Sequence, residues 1–208
     1  MPHLVLLGDS VFDNGPYVPL GHDVGHQLRE CLPDHWGLDV LAEDGATTTD
    51  IERQLDGMPK GATHLLLSVG GNDALLRADI LASPVDSSQE AFQLLCEAAQ
   101  AFGSNYKRVL RQCLRFDLPM AICTIYEGSF DNQSVRQTTS AALTAFNDVI
   151  YRAAVEKKLP VLELRAVCNQ AQDFVRSIEP SAVGGMKIAK TVARAAVTDF
   201  RSGASVLL

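Results

Sequence analysis

Leu4-Val5-Leu6-Leu7-Gly8-Asp9-Ser10-Val11-Phe12-Asp13-Asn14 decides the fold of this chain. Four successive apolar residues without alternation mark a strand buried on both faces, and the Gly-Asp-Ser that follows ends it in a polar turn. Similar short apolar runs recur at residues 38–41, 65–69, 121–125 and 161–164, which gives five predicted strands. The stretches between them carry helical signals. Asp23 caps a segment with Val24, Leu28 and Cys31 on one face, and Thr49-Asp50 opens a short segment before Gly57 and Pro59. Ala74-Leu75-Leu76 follows the third strand and Pro84 breaks it. A long stripe of Phe92, Leu95, Ala99, Phe102, Tyr106, Val109 and Cys113 then ends before Pro119. Further helices are predicted over 135–157 and 180–200, the last with Pro180 at its first position. Residues 127–137 are polar and without period, and read as a surface loop bordering a site.

Buried strands alternating with helices predict an α/β fold: a three-layer α/β/α sandwich around a five-stranded parallel sheet in the flavodoxin-like order 2-1-3-4-5. The 208 residues contain no repeat and no long linker, so a single domain over 1–208 is expected. With 18 Lys+Arg against 25 Asp+Glu the formal charge is -7, and no basic run offsets it, which argues against nucleic-acid and membrane-surface roles. The five cysteines are dispersed in apolar stretches and form no CxxC pair. They read as reduced core residues of a cytoplasmic protein, and the N-terminus shows no signal-peptide pattern.

In open parallel sheets ligands bind beyond the carboxyl ends of the strands. Three glycine-bearing polar turns follow the first three strands: Gly8-Asp9-Ser10, Asp44-Gly45-Ala46-Thr47-Thr48 and Gly70-Gly71-Asn72-Asp73. Ser10 is placed where a strand turns towards a helix, a position that exposes a nucleophilic hydroxyl. Gly45 permits close approach of a backbone N–H, and the Asn72 amide is a second donor to a developing oxyanion. Each also has a plain reading as a turn or cap residue.

Together, GDSVFDN, the glycine of DGATTTD, and GGND resemble the first three blocks of the SGNH hydrolases, also called GDSL esterases and lipases. The resemblance implies the nucleophile at Ser10, and an oxyanion hole from the Ser10 backbone N–H, Gly45 and Asn72. It further implies a small-molecule ester as substrate. The fourth family block, DxxHP, departs here: Arg176-Ser177-Ile178-Glu179-Pro180 places Glu179 where the family has its histidine and Arg176 where it has its aspartate. The nearest upstream acid is Asp173, and no histidine follows His64.

Two readings of Glu179 stay open. A buried carboxylate with a raised pKa is a competent base for Ser10, whereas a glutamate there also suits a helix start or a pair with Arg176. His22, in the loop after the first block, is a second candidate base. His3 and His64 belong at the opposite ends of their strands, and His35 lies just before the second strand. His22 and His26 stand four apart but lack the glutamate of an HExxH zinc motif, so no metal is expected. No cofactor is implied either. The turn after the first strand is not GxGxxG, the Asp9–Asp13 spacing does not fit an aspartyl phosphotransferase, and no GxSxG elbow is present. The sequence therefore points to an esterase acting through an acyl-enzyme on Ser10. The alternative is a catalytically impaired relative that binds an ester, acyl or sugar ligand.

Overall fold

The computed structural model describes residues 1–200 and the backbone of Val206 and Leu207. Strands β1 (His3–Gly8), β2 (Gly37–Val40), β3 (His64–Ser68), β4 (Met120–Cys123) and β5 (Val161–Leu162) form a parallel sheet in the expected order β2-β1-β3-β4-β5. Two short additions were not expected. β6 (Phe174–Val175) and β7 (Glu179–Pro180) form a separate antiparallel hairpin, and β8 (Val206–Leu207) pairs with β5 at the sheet edge.

The unbroken apolar strands are explained by the two faces they serve. In β1, Leu4 and Leu6 pack with Val24, Leu28, Ile188 and Val192, the buried faces of α1 (Val24–Cys31) and α7 (Ala182–Ala196), and the one-turn helix α6 (Leu164–Val167) adds Leu164 to the same core. Val5 and Leu7 point the other way. They join Ile51 of α2 (Ile51–Asp56), Tyr106 of α4 (Ser88–Cys113) and Ile150 of α5 (Gln133–Lys157). Period-two alternation of the apolar side chains of β1 thus feeds two cores, one on each face of the sheet.

The helix caps follow local chemistry. Asp23 accepts from the His26 N–H at the start of α1, Ser87 from Glu90 before α4, and Asn132 from Ser134 and Val135 before α5. The last cap corrects the loop expected over 127–137, because Gln133 already begins helix α5. Pro180 is not the first residue of α7. It lies in β7, and Ser181 caps the helix by accepting from Val183 and Gly184.

Two core expectations are also corrected. Phe92 is 68% exposed, because a helix of 26 residues rises about 39 Å and its first turns overhang strands of at most six residues. Cys96, in the same overhang, is exposed and Cys31 is partly so, while Cys113, Cys123 and Cys168 are buried.

Candidate active site

The residues that precede Ser10 are held by exact packing. Gly8 has φ +136°, and a Cβ there would stand 1.8 Å from the Ser68 carbonyl oxygen, so only glycine fits. The Gln54 side chain clasps the same residue twice: the Gly8 N–H donates to Oε1 (2.8 Å), and Nε2 donates to the Gly8 carbonyl (2.7 Å). Ser10 then sits in a single helical turn in which the Asp9 carbonyl accepts from the Phe12 and Asp13 N–H groups. This turn does not run on into α1, which begins only at Val24.

The three polar turns are stitched together. Asp13 Oδ2 accepts from the Asp44 N–H (2.9 Å), and Asp73 accepts from the backbone N–H and hydroxyl of Thr48 (3.0 and 2.5 Å). Asn72, on the short helix α3 (Gly71–Leu75), donates from Nδ2 to the Ala46 carbonyl (2.9 Å). The fourth block is tied in by Asn14. Its Nδ2 donates to the Pro180 carbonyl (2.9 Å), and its Oδ1 accepts from the Val24 N–H (2.8 Å). A fully buried asparagine thereby fixes strand β7, and with it Glu179, against the turn that carries Ser10.

Asp9, Ser10, Asn72 and Glu179 line one cavity of about 270 Å³. Gly45 is not part of its lining. It is exposed in the loop beside Ala46 with φ +79°, a conformation that favours glycine. The remaining wall is largely apolar: Leu75 and Ile80 after β3, Leu95 from α4, Ile125 after β4, and Leu143 and Phe146 from α5.

Two carboxyl groups flank Ser10. Glu179 is 8% exposed, and its Oε2 is buried without a hydrogen-bond partner. Burial pushes its pKa up, the Ser10 hydroxyl donates towards it and lowers it, Asp44 raises it, and Arg176 lowers it. Asp9 is 4% exposed and is pushed up to about 7, chiefly by burial, with the Val11 N–H (3.1 Å) opposing and the charges of Glu179 and Asp73 adding to the rise. The Arg176 guanidinium lies 5.1 Å from the centre of the Tyr17 ring, and the Tyr17 hydroxyl donates to Asp44 Oδ2 (2.6 Å). The side of Glu179 away from the cavity is therefore polar.

The other candidates are placed elsewhere. His22 is exposed and does not line the cavity. His26 Nδ1 lies 2.6 Å from Asp23 Oδ2. His3 and His64 sit at the entering ends of β1 and β3, against Asp39 and Asp199, and His35 is exposed. Asp173 is fully buried but serves Lys187 (2.7 Å) and the Asn169 and Gln170 N–H groups. Sequence reasoning assigned no role to Asp9, Asn14 or Gln54. All three lay in or near recognised motifs, but the residues that bond Asn14 at Pro180 and Gln54 at Gly8 are distant in sequence, and the burial of Asp9 shows only in the fold. Among the described residues no group of three or more His, Cys, Asp or Glu side chains could hold a metal, and no helix is long and apolar enough to cross a membrane.

Comparison with solved structures gives the same architecture. An extracellular lipase from Streptomyces rimosus is 17% identical with TM-score 0.67, covering 94% of this chain and 100% of that one. A phospholipase A1 from Streptomyces albidoflavus is 17% identical with TM-score 0.67 (93% and 98% covered), and an acetyl xylan esterase is 16% identical with TM-score 0.69 (93% and 98%). No curated protein sequence matches the chain. At such identities the likeness is one of fold, but the model of the GDSL-like lipase/acylhydrolase family matches residues 6–184 directly. On that match, with its first motif at the end of β1 and its last segment at the start of α7, the chain belongs to the GDSL-like lipase/acylhydrolase family.

Proposed function

We propose that this family member is a single-domain serine ester hydrolase that works through an acyl-enzyme on Ser10, with Glu179 as the general base. The observation that carries this reading is that Ser10 and the buried Glu179 carboxyl line the same largely apolar cavity, with the carboxyl pKa raised by burial. A carboxylate of ordinary pKa is a poor base for a hydroxyl, and desolvation moves it towards the working range. Ser10 Oγ attacks the ester carbonyl carbon as its proton passes to Glu179. The tetrahedral oxyanion is met by the Ser10 backbone N–H and the Asn72 amide, both at residues that line the cavity, whereas Gly45 lies outside that lining. Collapse expels the alcohol, which takes the proton from Glu179. Water then enters, gives its proton to Glu179 and attacks the acyl carbon, and Ser10 is released on reprotonation.

Arg176 stands where the family has its aspartate, yet its role here is different. It holds the Tyr17 face and places a positive charge near Glu179, which opposes the rise in the carboxyl pKa that burial causes. A second reading rests on the cavity lining, which contains no histidine among the described residues: the chain binds an ester, acyl or sugar ligand without turnover.

Hydrolysis of nitrophenyl esters by wild type, Ser10→Ala and Glu179→Gln separates the two. Loss of roughly 10²-fold or more in both variants supports the Ser10–Glu179 pair. Loss in Ser10→Ala alone removes Glu179 from the reaction, and a wild type no faster than Ser10→Ala supports the binding reading.

A further inference from the structure

The ester must be placed with its carbonyl carbon over Ser10, and two very different environments lie on either side of that point. Around Glu179 are Asp44, Tyr17 and Arg176, all polar and linked to one another. On the Asn72 side the cavity is walled by Leu75, Ile80, Leu95, Ile125, Leu143 and Phe146. The base that receives the Ser10 proton must hand it to the leaving alcohol, so the alcohol lies on the Glu179 side. The acyl group is then directed into the apolar cavity.

The size of that cavity sets a length. A cavity of about 150 Å³ accommodates benzene, which amounts to roughly 25 Å³ per carbon. The about 270 Å³ here then holds roughly eleven heavy atoms, one or two of which belong to the carbonyl group. An acetyl group would leave most of this apolar wall without contacts. The charged lining residues away from Ser10 do not interrupt the chain path. Glu127 is exposed, and the Arg77 side chain is 41% exposed and pairs with Asp79 (3.9 Å). Leu75 and Leu81 line the cavity and are also exposed, so the apolar surface continues from the interior to the mouth.

We infer that the substrate is an ester of a medium-chain fatty acid, with an acyl group of about eight to ten carbons in this cavity and a small or polar alcohol on the Glu179 side. The inference rests on the serine esterase reading, and it selects among ester chemistries that the family match leaves open.

The test compares two isomers of equal carbon number, methyl nonanoate and octyl acetate, alongside methyl esters of increasing acyl length. The expected result is a kcat/KM that rises by up to roughly fourfold per methylene to about eight to ten carbons and then levels, with methyl nonanoate preferred at least roughly 10-fold over octyl acetate. A preference for octyl acetate, or for methyl acetate over methyl nonanoate, overturns the inference. In Ala142→Trp, which fills the α5 wall, the ratio of nonanoate to acetate turnover should fall at least roughly 10-fold, with a thermal transition to verify folding; an unchanged ratio in the folded variant counts against the cavity. If no ester is turned over faster than by Ser10→Ala, the esterase reading fails, and calorimetric titration with acetamide and nonanamide still decides the cavity. Binding of nonanamide at least roughly 10²-fold tighter supports an acyl site, and equal binding overturns it.

Discussion

Replacing Asp9 by asparagine should make the protein more stable at neutral pH and leave it unchanged in acid. The Asp9 carboxyl rises from its ordinary 3.8 to about 7 in the folded protein, and burial is the main cause. A folded-state pKa above the unfolded one means that the native state binds the proton more tightly. Stability is therefore fully present below about pH 4, falls as the pH rises, and levels off above about pH 7. A rise from 3.8 to about 7 corresponds to roughly 4 kcal/mol lost across that window. Asparagine keeps an oxygen for the Val11 N–H and has no charge to desolvate, so the variant should escape that loss. Urea unfolding of wild type and Asp9→Asn at pH 4 and pH 8 isolates the effect, because every other titrating group is common to both. The variant should gain up to roughly 4 kcal/mol on wild type between the two pH values. A difference that does not change with pH, or that favours wild type at pH 8, would refute the assignment of Asp9 as a buried carboxyl that titrates near neutrality.

Other perturbations read the site from different directions. Burial raises the Glu179 pKa, so ester hydrolysis should fail on the acid side at a pH above the ordinary carboxylate value of 4.5, as protonation removes the base; a kcat/KM profile flat from pH 4 upward contradicts this. Asn72→Ala should lower kcat by roughly 10² to 10³ with a smaller change in KM, measured by steady-state kinetics. Asn14→Ala strands the Pro180 carbonyl and the Val24 N–H, and should cost roughly 1–3 kcal/mol for each in denaturant unfolding, together with a fall in turnover as β7 loosens. Gly8→Ala drives a Cβ to 1.8 Å from the Ser68 oxygen and should abolish soluble folded protein, seen as loss of the native circular dichroism signal.

The sheet was legible because its strands are buried on both faces, so Leu4 to Leu7 or Leu65 to Leu67 could only be read one way. The first three polar turns were legible because glycine, aspartate and asparagine have few uses in that setting. The hairpin that carries Glu179 was hidden. Its turn residues Arg176 and Ser177 adopt φ of +47° and +69° without glycine or asparagine to announce them, and Pro180 gave a helix-start signal that Ser181 takes over. The roles of Asn14 and Gln54 were equally unreadable, since a side-chain amide shows its partner only once the chain is folded. Phe92 misled because periodicity reveals which face of a helix is apolar, not how far the helix runs past the sheet it covers.

The Asn14 bond to Pro180 joins positions 166 residues apart. Chains leave the ribosome at roughly 5–20 residues per second, so the segment that carries Glu179 follows the one that carries Ser10 by roughly 8 to 33 seconds, and later still clears the exit tunnel. Throughout that interval the emerging polypeptide carries its serine without the carboxylate opposite it. On the proposed mechanism, a chain cut short before the hairpin would keep the three recognisable motifs yet lack the Glu179 carboxylate that draws the proton from Ser10.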